Sequence, residues 1–170
     1  MNAWRVLGIG SPFGDDQVGW CLVTALESMA RTAAPDGTGQ YSVVALDRPG
    51  SGLIHALAGA RGVIVVDAVQ NMGQPGRIHR LSMAELTQAS GHLSSHNFGV
   101  AEALALADEL KLLPPHLLIL AVEMSSAAPS EDVSPEVAAA VPELCTLINT
   151  TLMAWRSRSP TLNGEVKTCV

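Results

Sequence analysis

The chain of 170 residues has the length of one domain, which excludes a large multidomain assembly. Hydrophobic residues make up 48% of it and charged residues 15%, so it has enough apolar side chain to bury a core and is not disordered throughout. Its formal net charge of −6 argues against a general nucleic-acid surface, because affinity for phosphates depends on clustered cations.

The N-terminal part of the chain alternates between strand and helix patterns. Residues 4–10 predict a buried strand that runs into glycine, and residues 17–31 predict a helix with one apolar stripe. A turn-rich connection at 33–40 leads to a second predicted strand at 41–46. A short helix is predicted at 51–60.

The same alternation continues in the middle of the chain. Residues 62–66 are a continuous β-branched run, which predicts a strand covered on both faces, as in a parallel sheet. Residues 77–82 alternate like an edge strand, and residues 97–113 predict a helix that stops before a Pro-Pro pair. Residues 117–123 predict a further core strand.

The C-terminal part of the chain predicts one long helix. We expect it to start at Pro135 after the N-cap Ser134, to kink at Pro142 and to end near Trp155. Residues 156–170 are polar and predict a flexible tail.

Strands that alternate with helices over residues 1–155 predict a single α/β domain. The expected architecture is a three-layer α/β/α sandwich around a mostly parallel sheet of about five strands. In such a sheet, ligands bind at the carboxyl ends of the strands.

Acidic residues follow the predicted strands. Asp15 and Asp16 come after the first strand, Asp47 after the second, Asp67 after the third and Glu123 at the end of the last. Each acid alone is explained as a helix N-cap, and the first two also suit the dipole of the first helix. Their convergence is less well explained, because carboxylates at one rim repel each other unless a cation or a hydrogen-bond donor lies between them.

A dinucleotide site is one alternative, since Gly8 and Gly10 follow a strand as in the Rossmann fingerprint. Phe13 occupies the position of the third glycine. Asp15 and Asp16 stand where a pyrophosphate needs an uncharged helix N-terminus, so they would repel that ligand.

The three cysteines, Cys21, Cys145 and Cys169, form no Cys-x-x-Cys pair and are expected to be reduced thiols. The N-terminus is too rich in glycine for a signal peptide, and no charge-free apolar run approaches the length of a membrane span. We therefore expect a cytoplasmic protein that does not interact with membranes.

Among the five histidines, His96 is the most informative because it lies at the start of a predicted helix. It can serve there as a helix cap or as a solvated surface group, which is as good an explanation as a functional role. No Gly-x-Ser-x-Gly, His-Glu-x-x-His or P-loop motif is present.

Four segments form a series of motifs in chain order. They are residues 8–11 with 15–19 (GIGS and DDQVG), 63–68 (VIVVDA), 94–99 (SSHNFG) and 134–142 (SPEVAAAVP). In order and spacing, over about residues 4–155, this series resembles the nickel-iron hydrogenase maturation proteases. The resemblance implies a phosphorylase/hydrolase-like fold and an endopeptidase of aspartic or metal-dependent type.

The resemblance also implies a substrate and a site. Such enzymes remove the C-terminal extension of the hydrogenase large-subunit precursor after nickel insertion, and they use the bound nickel as the recognition feature. By position, Asp16, Asp67 and His96 are the implied metal contacts and the candidate catalytic residues. Asp47 and Gly50 are weaker candidates for substrate binding, because Arg48 and Pro49 interrupt the turn that the family has there.

Two carboxylates and one imidazole leave coordination positions open on a divalent metal, which suits a metal that another protein already holds. We therefore expect nickel to come with the precursor and expect no tightly bound cofactor. A small domain acting on a large partner is expected to be a monomer. Two alternatives stay open: a nickel-binding carrier module of hydrogenase assembly and, less favoured, a dinucleotide-binding oxidoreductase.

Overall fold

The computed structural model describes residues 4–33, 41–89, 99–125 and 131–158. The elements are β1 (Trp4–Gly10), a 3-10 turn (Gly14–Gln17), α1 (Val18–Ala33), β2 (Ser42–Asp47), α2 (Gly52–Leu57), β3 (Gly62–Val69), β4 (Ile78–Leu81), α3 (Met83–Ala89), α4 (Val100–Glu109), β5 (His116–Glu123) and α5 (Pro135–Arg158). Apart from α3, the order of strands and helices is the one that the sequence predicts.

The five strands form one sheet in the order β2-β1-β3-β5-β4. Strands β2, β1, β3 and β5 are parallel to one another, and β4 pairs antiparallel with β5 at one edge. The predicted mostly parallel sheet of about five strands is therefore confirmed, and so is the edge position of β4. Because the four parallel strands share one direction, their carboxyl ends lie along the same edge of the sheet.

Helices cover both faces of the sheet. Helices α1 and α5 pack on one face over Ile64 and Val66, while α2, α3 and α4 pack on the other over Val63 and Val65. Strand β3 is buried at all eight positions, because its side chains alternate between these two cores. The three-layer α/β/α architecture is confirmed.

Helix α3 is a difference from the sequence prediction, which has no helix there. A capping box starts it: the Ser82 backbone N–H donates to Glu85 Oε2 at 2.7 Å, and the Glu85 N–H donates back to Ser82 Oγ at 3.2 Å. The Ser-x-x-Glu spacing is readable in the sequence and signals this helix.

Helix α4 is shorter than the predicted helix at 97–113, of which residues 97 and 98 lie outside the described residues. It ends at Glu109 because Lys111 adopts a left-handed conformation with φ of 59°. The Leu112 N–H then donates to the Ala107 carbonyl at 2.8 Å, which closes the helix before the Pro-Pro pair is reached.

Helix α5 starts at Pro135 as predicted, and Ser134 Oγ accepts from the Val137 N–H at 3.4 Å. It continues through Pro142 to Arg158 and buries a stripe formed by Val137, Ala140, Leu144, Cys145, Ile148 and Leu152. Within the described residues it is the one helix long and apolar enough to cross a membrane, a test that core helices also pass. The proposed boundary between a domain at 1–155 and a tail at 156–170 stays a prediction.

Candidate active site

The carboxyl edge of the parallel sheet carries the acids that the sequence singles out. Asp47 and Glu123 are the last residues of β2 and β5, Asp67 lies two residues before the end of β3, and Asp15 and Asp16 lie in the 3-10 turn after β1. All of them except Asp47 are buried, with at most 6% of each residue exposed. Their hydrogen-bond partners differ, and these partners indicate a different role for each acid.

Asp16 is the acid at this edge whose carboxylate has no hydrogen-bond partner among the described residues. It is 4% exposed, and neither of its carboxylate oxygens has a hydrogen-bond partner among the described residues. Buried polar atoms are nearly always paired, because an unpaired buried charge costs several kcal/mol (about 2 to 7 for a neutral group and more for an ion). Among the described acids at this edge, Asp16 is therefore the one with both oxygens available to a ligand.

A tight turn holds Asp16 in this place. Its N–H donates to the Phe13 carbonyl at 3.2 Å, and its carbonyl accepts from the Ser11 N–H at 3.4 Å. Gly14 has φ of 49°, which favours glycine. A Cβ on Gly10 would lie 2.1 Å from the Asp16 carbonyl oxygen, so the end of β1 must be glycine for the turn to approach.

Asp15, the neighbouring acid, is fully engaged with the backbone. Its Oδ1 accepts from the Ser134 N–H at 2.6 Å and its Oδ2 accepts from the Ser125 N–H at 2.7 Å. Asp15 does cap a helix, which is one of the roles that the sequence suggests, but the capped helix is α5 and not α1. The two adjacent acids thus differ, since each oxygen of Asp15 accepts a hydrogen bond and the oxygens of Asp16 accept none from the described residues.

Asp67 faces the same region as Asp16. Its Oδ1 accepts from the Ala68 N–H at 2.8 Å, and it is 6% exposed. Burial, together with the negative charge of Asp16, raises the pKa of Asp67 to about 7, although the Ala68 N–H pulls it down. The structure therefore brings Asp16 and Asp67 close enough to interact, as the sequence predicts for two members of the site.

The raised pKa of Asp67 predicts that the protein loses stability as the pH rises. The folded state holds the proton of Asp67 more tightly than the unfolded chain does. The contribution of this proton to the free energy of unfolding is therefore full below about pH 4. It disappears as the pH rises through about 7, a loss on the order of 4 kcal/mol for a shift from 3.8 to about 7. Urea unfolding at pH 4 to 8 measures it, and Asp67→Asn should flatten the slope. Equal dependence of the free energy of unfolding on pH in the two proteins would contradict the raised pKa of Asp67.

Glu123 has a structural role at this edge. Its Oε2 accepts from the Met72 N–H at 2.9 Å and lies 3.6 Å from His79 Nε2. Its backbone carbonyl also accepts from the Gly76 N–H at 2.8 Å. Glu123 therefore holds the connection between β3 and β4 and does not join the Asp16–Asp67 pair.

Asp47 lies at the rim and is exposed to solvent. Its carboxylate accepts from Arg48 Nε at 2.6 Å, and this hydrogen bond lowers the pKa of Asp47. An exposed pair of this kind contributes little to stability. Arg48 and Gly50 both have left-handed backbones, with φ of 40° and 51°, so the turn is sharply bent.

The turn that contains Gly50 meets the start of α4. A Cβ on Gly99 would lie 3.2 Å from the Gly50 Cα, so the two backbones are in close contact. His96, the third predicted member of the site, lies outside the described residues, and α4 is described from Val100. Within the described residues, no three His, Cys, Asp or Glu side chains group closely enough to hold a metal ion.

Comparison with known proteins identifies the family. The family model for HycI, hydrogenase maturation protease, matches residues 23–151, which is more than half of the chain. The protein therefore belongs to the hydrogenase maturation protease family, and the resemblance stated from the sequence motifs is confirmed. It is a peptidase of hydrogenase maturation, a class that works by proteolysis and not by hydride transfer. A comparison with curated protein sequences returned no match.

Solved structures of the same class have the same fold. The hydrogenase maturating endopeptidase HybD from E. coli aligns with a TM-score of 0.74 and 22% identity, over 89% of this chain and 93% of that chain. HybD from Thermococcus kodakarensis aligns with a TM-score of 0.66 and 18% identity, over 88% and 98%. The hydrogenase 2 maturation peptidase from a Thaumarchaeota archaeon aligns with a TM-score of 0.64 and 25% identity, over 88% and 97%.

Proposed function

We propose that this protein removes the C-terminal extension of the nickel-loaded large-subunit precursor of a nickel-iron hydrogenase and recognises the precursor through its nickel. The observation that carries the proposal is the Asp16 carboxylate, which is buried and has no partner among the described residues. A cation that comes with the substrate would satisfy both of its oxygens. It would also relieve the repulsion between Asp16 and Asp67.

In the proposed site, Asp16 and Asp67 contribute oxygens and His96 contributes a nitrogen. This set is acceptable to Ni²⁺, yet it leaves coordination positions for the ligands that the precursor already supplies. A site that stores metal permanently more often has a closed shell of cysteine and histidine. Nickel is therefore part of the substrate here, and cleavage waits until it has been inserted.

The hydrolytic step is proposed to use the Asp16–Asp67 pair, in an aspartic or metal-dependent type of chemistry. In the free enzyme the pKa of Asp67 lies at about 7, so its carboxyl can give up a proton near neutral pH when the nickel of the precursor binds. Paired buried carboxylates with one raised pKa are also the arrangement of aspartic peptidases. Asp47 and Gly50, in the turn that meets the start of α4, are proposed to line the path of the precursor.

The test is incubation with a purified large-subunit precursor in nickel-loaded and nickel-free forms, with the shortened product followed by mass spectrometry. We expect cleavage of the loaded form alone, because the nickel-free form cannot pair with Asp16. Equal cleavage of both forms would show that the enzyme does not recognise the precursor through its nickel. Stoichiometric nickel binding by the enzyme alone, without cleavage of either form, would favour the carrier alternative.

Three further properties belong to the same proposal. The enzyme acts in the cytoplasm, where the precursor is expected to be assembled, and it has no resident cofactor. It acts as a monomer, since one small domain is enough when the metal and most of the contact surface belong to the partner.

A further inference from the structure

Three consecutive residues of the 3-10 turn have side chains with different tasks. Asp15 accepts two backbone hydrogen bonds, from Ser125 and Ser134, at 2.7 and 2.6 Å. Gln17 Nε2 donates to the Glu131 carbonyl at 2.7 Å. Asp16, between them, has two carboxylate oxygens without a hydrogen-bond partner among the described residues.

The partners of Asp15 are the two ends of one connection. Ser125 lies two residues past the end of β5, and Ser134 immediately precedes α5. One buried carboxylate therefore ties the turn after β1 to both ends of the β5–α5 connection, across 110 and 119 residues of chain. Bonds from N–H groups to a carboxylate are among the stronger hydrogen bonds in proteins, and at 4% exposure water competes little for them.

The turn needs such an external tie. A four-residue 3-10 segment has few bonds of its own and poor hydrogen-bond geometry. Asp16, in this segment, is a buried carboxylate whose charge acts on Asp67, so both desolvation and like-charge repulsion favour a rotation that would take Asp16 out to solvent. Whatever holds the turn must offset this tendency.

We propose that Asp15 is a positioning residue of the peptidase: its two backbone hydrogen bonds lock the 3-10 turn, so that Asp16 presents both carboxylate oxygens to the metal of the precursor. The inference rests on the proposed function, because it assigns Asp16 to the metal. Gln17 contributes a weaker tie of the same kind through Glu131.

The test compares Asp15→Asn with Asp108→Asn, which makes the same chemical change at an exposed position in α4. Asn keeps one acceptor but turns an NH₂ group toward a backbone N–H. For Asp15→Asn, kcat on nickel-loaded precursor should fall about 10- to 100-fold while KM changes less than about twofold. Asp108→Asn should keep wild-type values. Loss of stability alone, with kcat unchanged, would reduce Asp15 to a structural residue and overturn the inference.

Amide hydrogen exchange tests the lock without any cleavage. In Asp15→Asn the Ser125, Ser134 and Asp16 amides should exchange about tenfold faster or more, while the buried Val65 amide keeps its protection. An unchanged Asp16 amide would overturn the inference. If wild type does not cleave the loaded precursor, the proposed function fails, and the exchange rates still decide whether Asp15 locks the turn.

A second variant covers the case in which Asp15→Asn does not fold. Gln17→Met removes one hydrogen bond and leaves Asp15 in place, so we expect kcat to fall about two- to fivefold and the Asp16 amide to exchange faster. A wild-type kcat and a wild-type exchange rate of the Asp16 amide in this variant would contradict the proposal that these hydrogen bonds hold the turn in place.

Discussion

Asp16→Asn is expected to abolish processing while the fold survives. The carboxylate has no hydrogen-bond partner to lose among the described residues, and its charge raises the pKa of Asp67. Removing that charge removes a buried ion that has no hydrogen-bond partner among the described residues, so the free energy of unfolding at pH 7 should rise by about 1 kcal/mol. Loss of a metal-contacting oxygen should lower kcat/KM on nickel-loaded precursor by at least about 100-fold.

Activity and stability must be measured on the same preparation, because their opposite signs separate a site residue from a structural one. Urea unfolding gives the free energy, and the precursor assay gives kcat/KM. Titration of the carboxyl carbons by NMR should also show a lower pKa for Asp67 in the variant. Asp108→Asn is the matched control and should change none of these quantities. A variant that loses stability along with activity would show that Asp16 holds the fold.

Gly8→Ala is expected to cause the largest loss of stability. A Cβ on Gly8 would lie 2.0 Å from the Gly19 carbonyl oxygen, so β1 and α1 would have to separate. The obstacle is backbone that cannot move aside as a side chain can. We expect the free energy of unfolding to fall by about 3 kcal/mol, the upper end for an overpacked core. The shift of the urea midpoint at constant m-value measures it.

Gly52→Ala is the matched control for this substitution. A Cβ on Gly52 meets nothing within 4 Å, and the residue begins α2. Ala should therefore be neutral or stabilise by about 0.4 to 1 kcal/mol, because it lowers the entropy of the unfolded chain. Similar losses in both variants would mean that the close approach of β1 and α1 is not what requires glycine at position 8.

Local chemistry made most of the fold readable from the sequence. The continuous apolar run at 62–66 predicted a strand covered on both faces, and β3 is buried throughout. The alternation at 77–82 predicted an edge strand, and β4 is one. Pro135 after Ser134 marked the start of α5. These signals depend on the periods of strands and helices and on cap chemistry, all of which act between residues close in the chain.

The sequence also determined that acids would collect at one edge, since parallel strands end on the same side of a sheet. It could not determine which acids remain unpaired, because their donors come from distant parts of the chain. Asp15 accepts hydrogen bonds from Ser125 and Ser134, and Glu123 accepts one from Met72. For Asp16, no described residue far along the chain brings a donor close to the carboxylate. Hydrogen-bond partners depend on which backbone groups the folded chain brings within about 3 Å, and only the tertiary structure decides that.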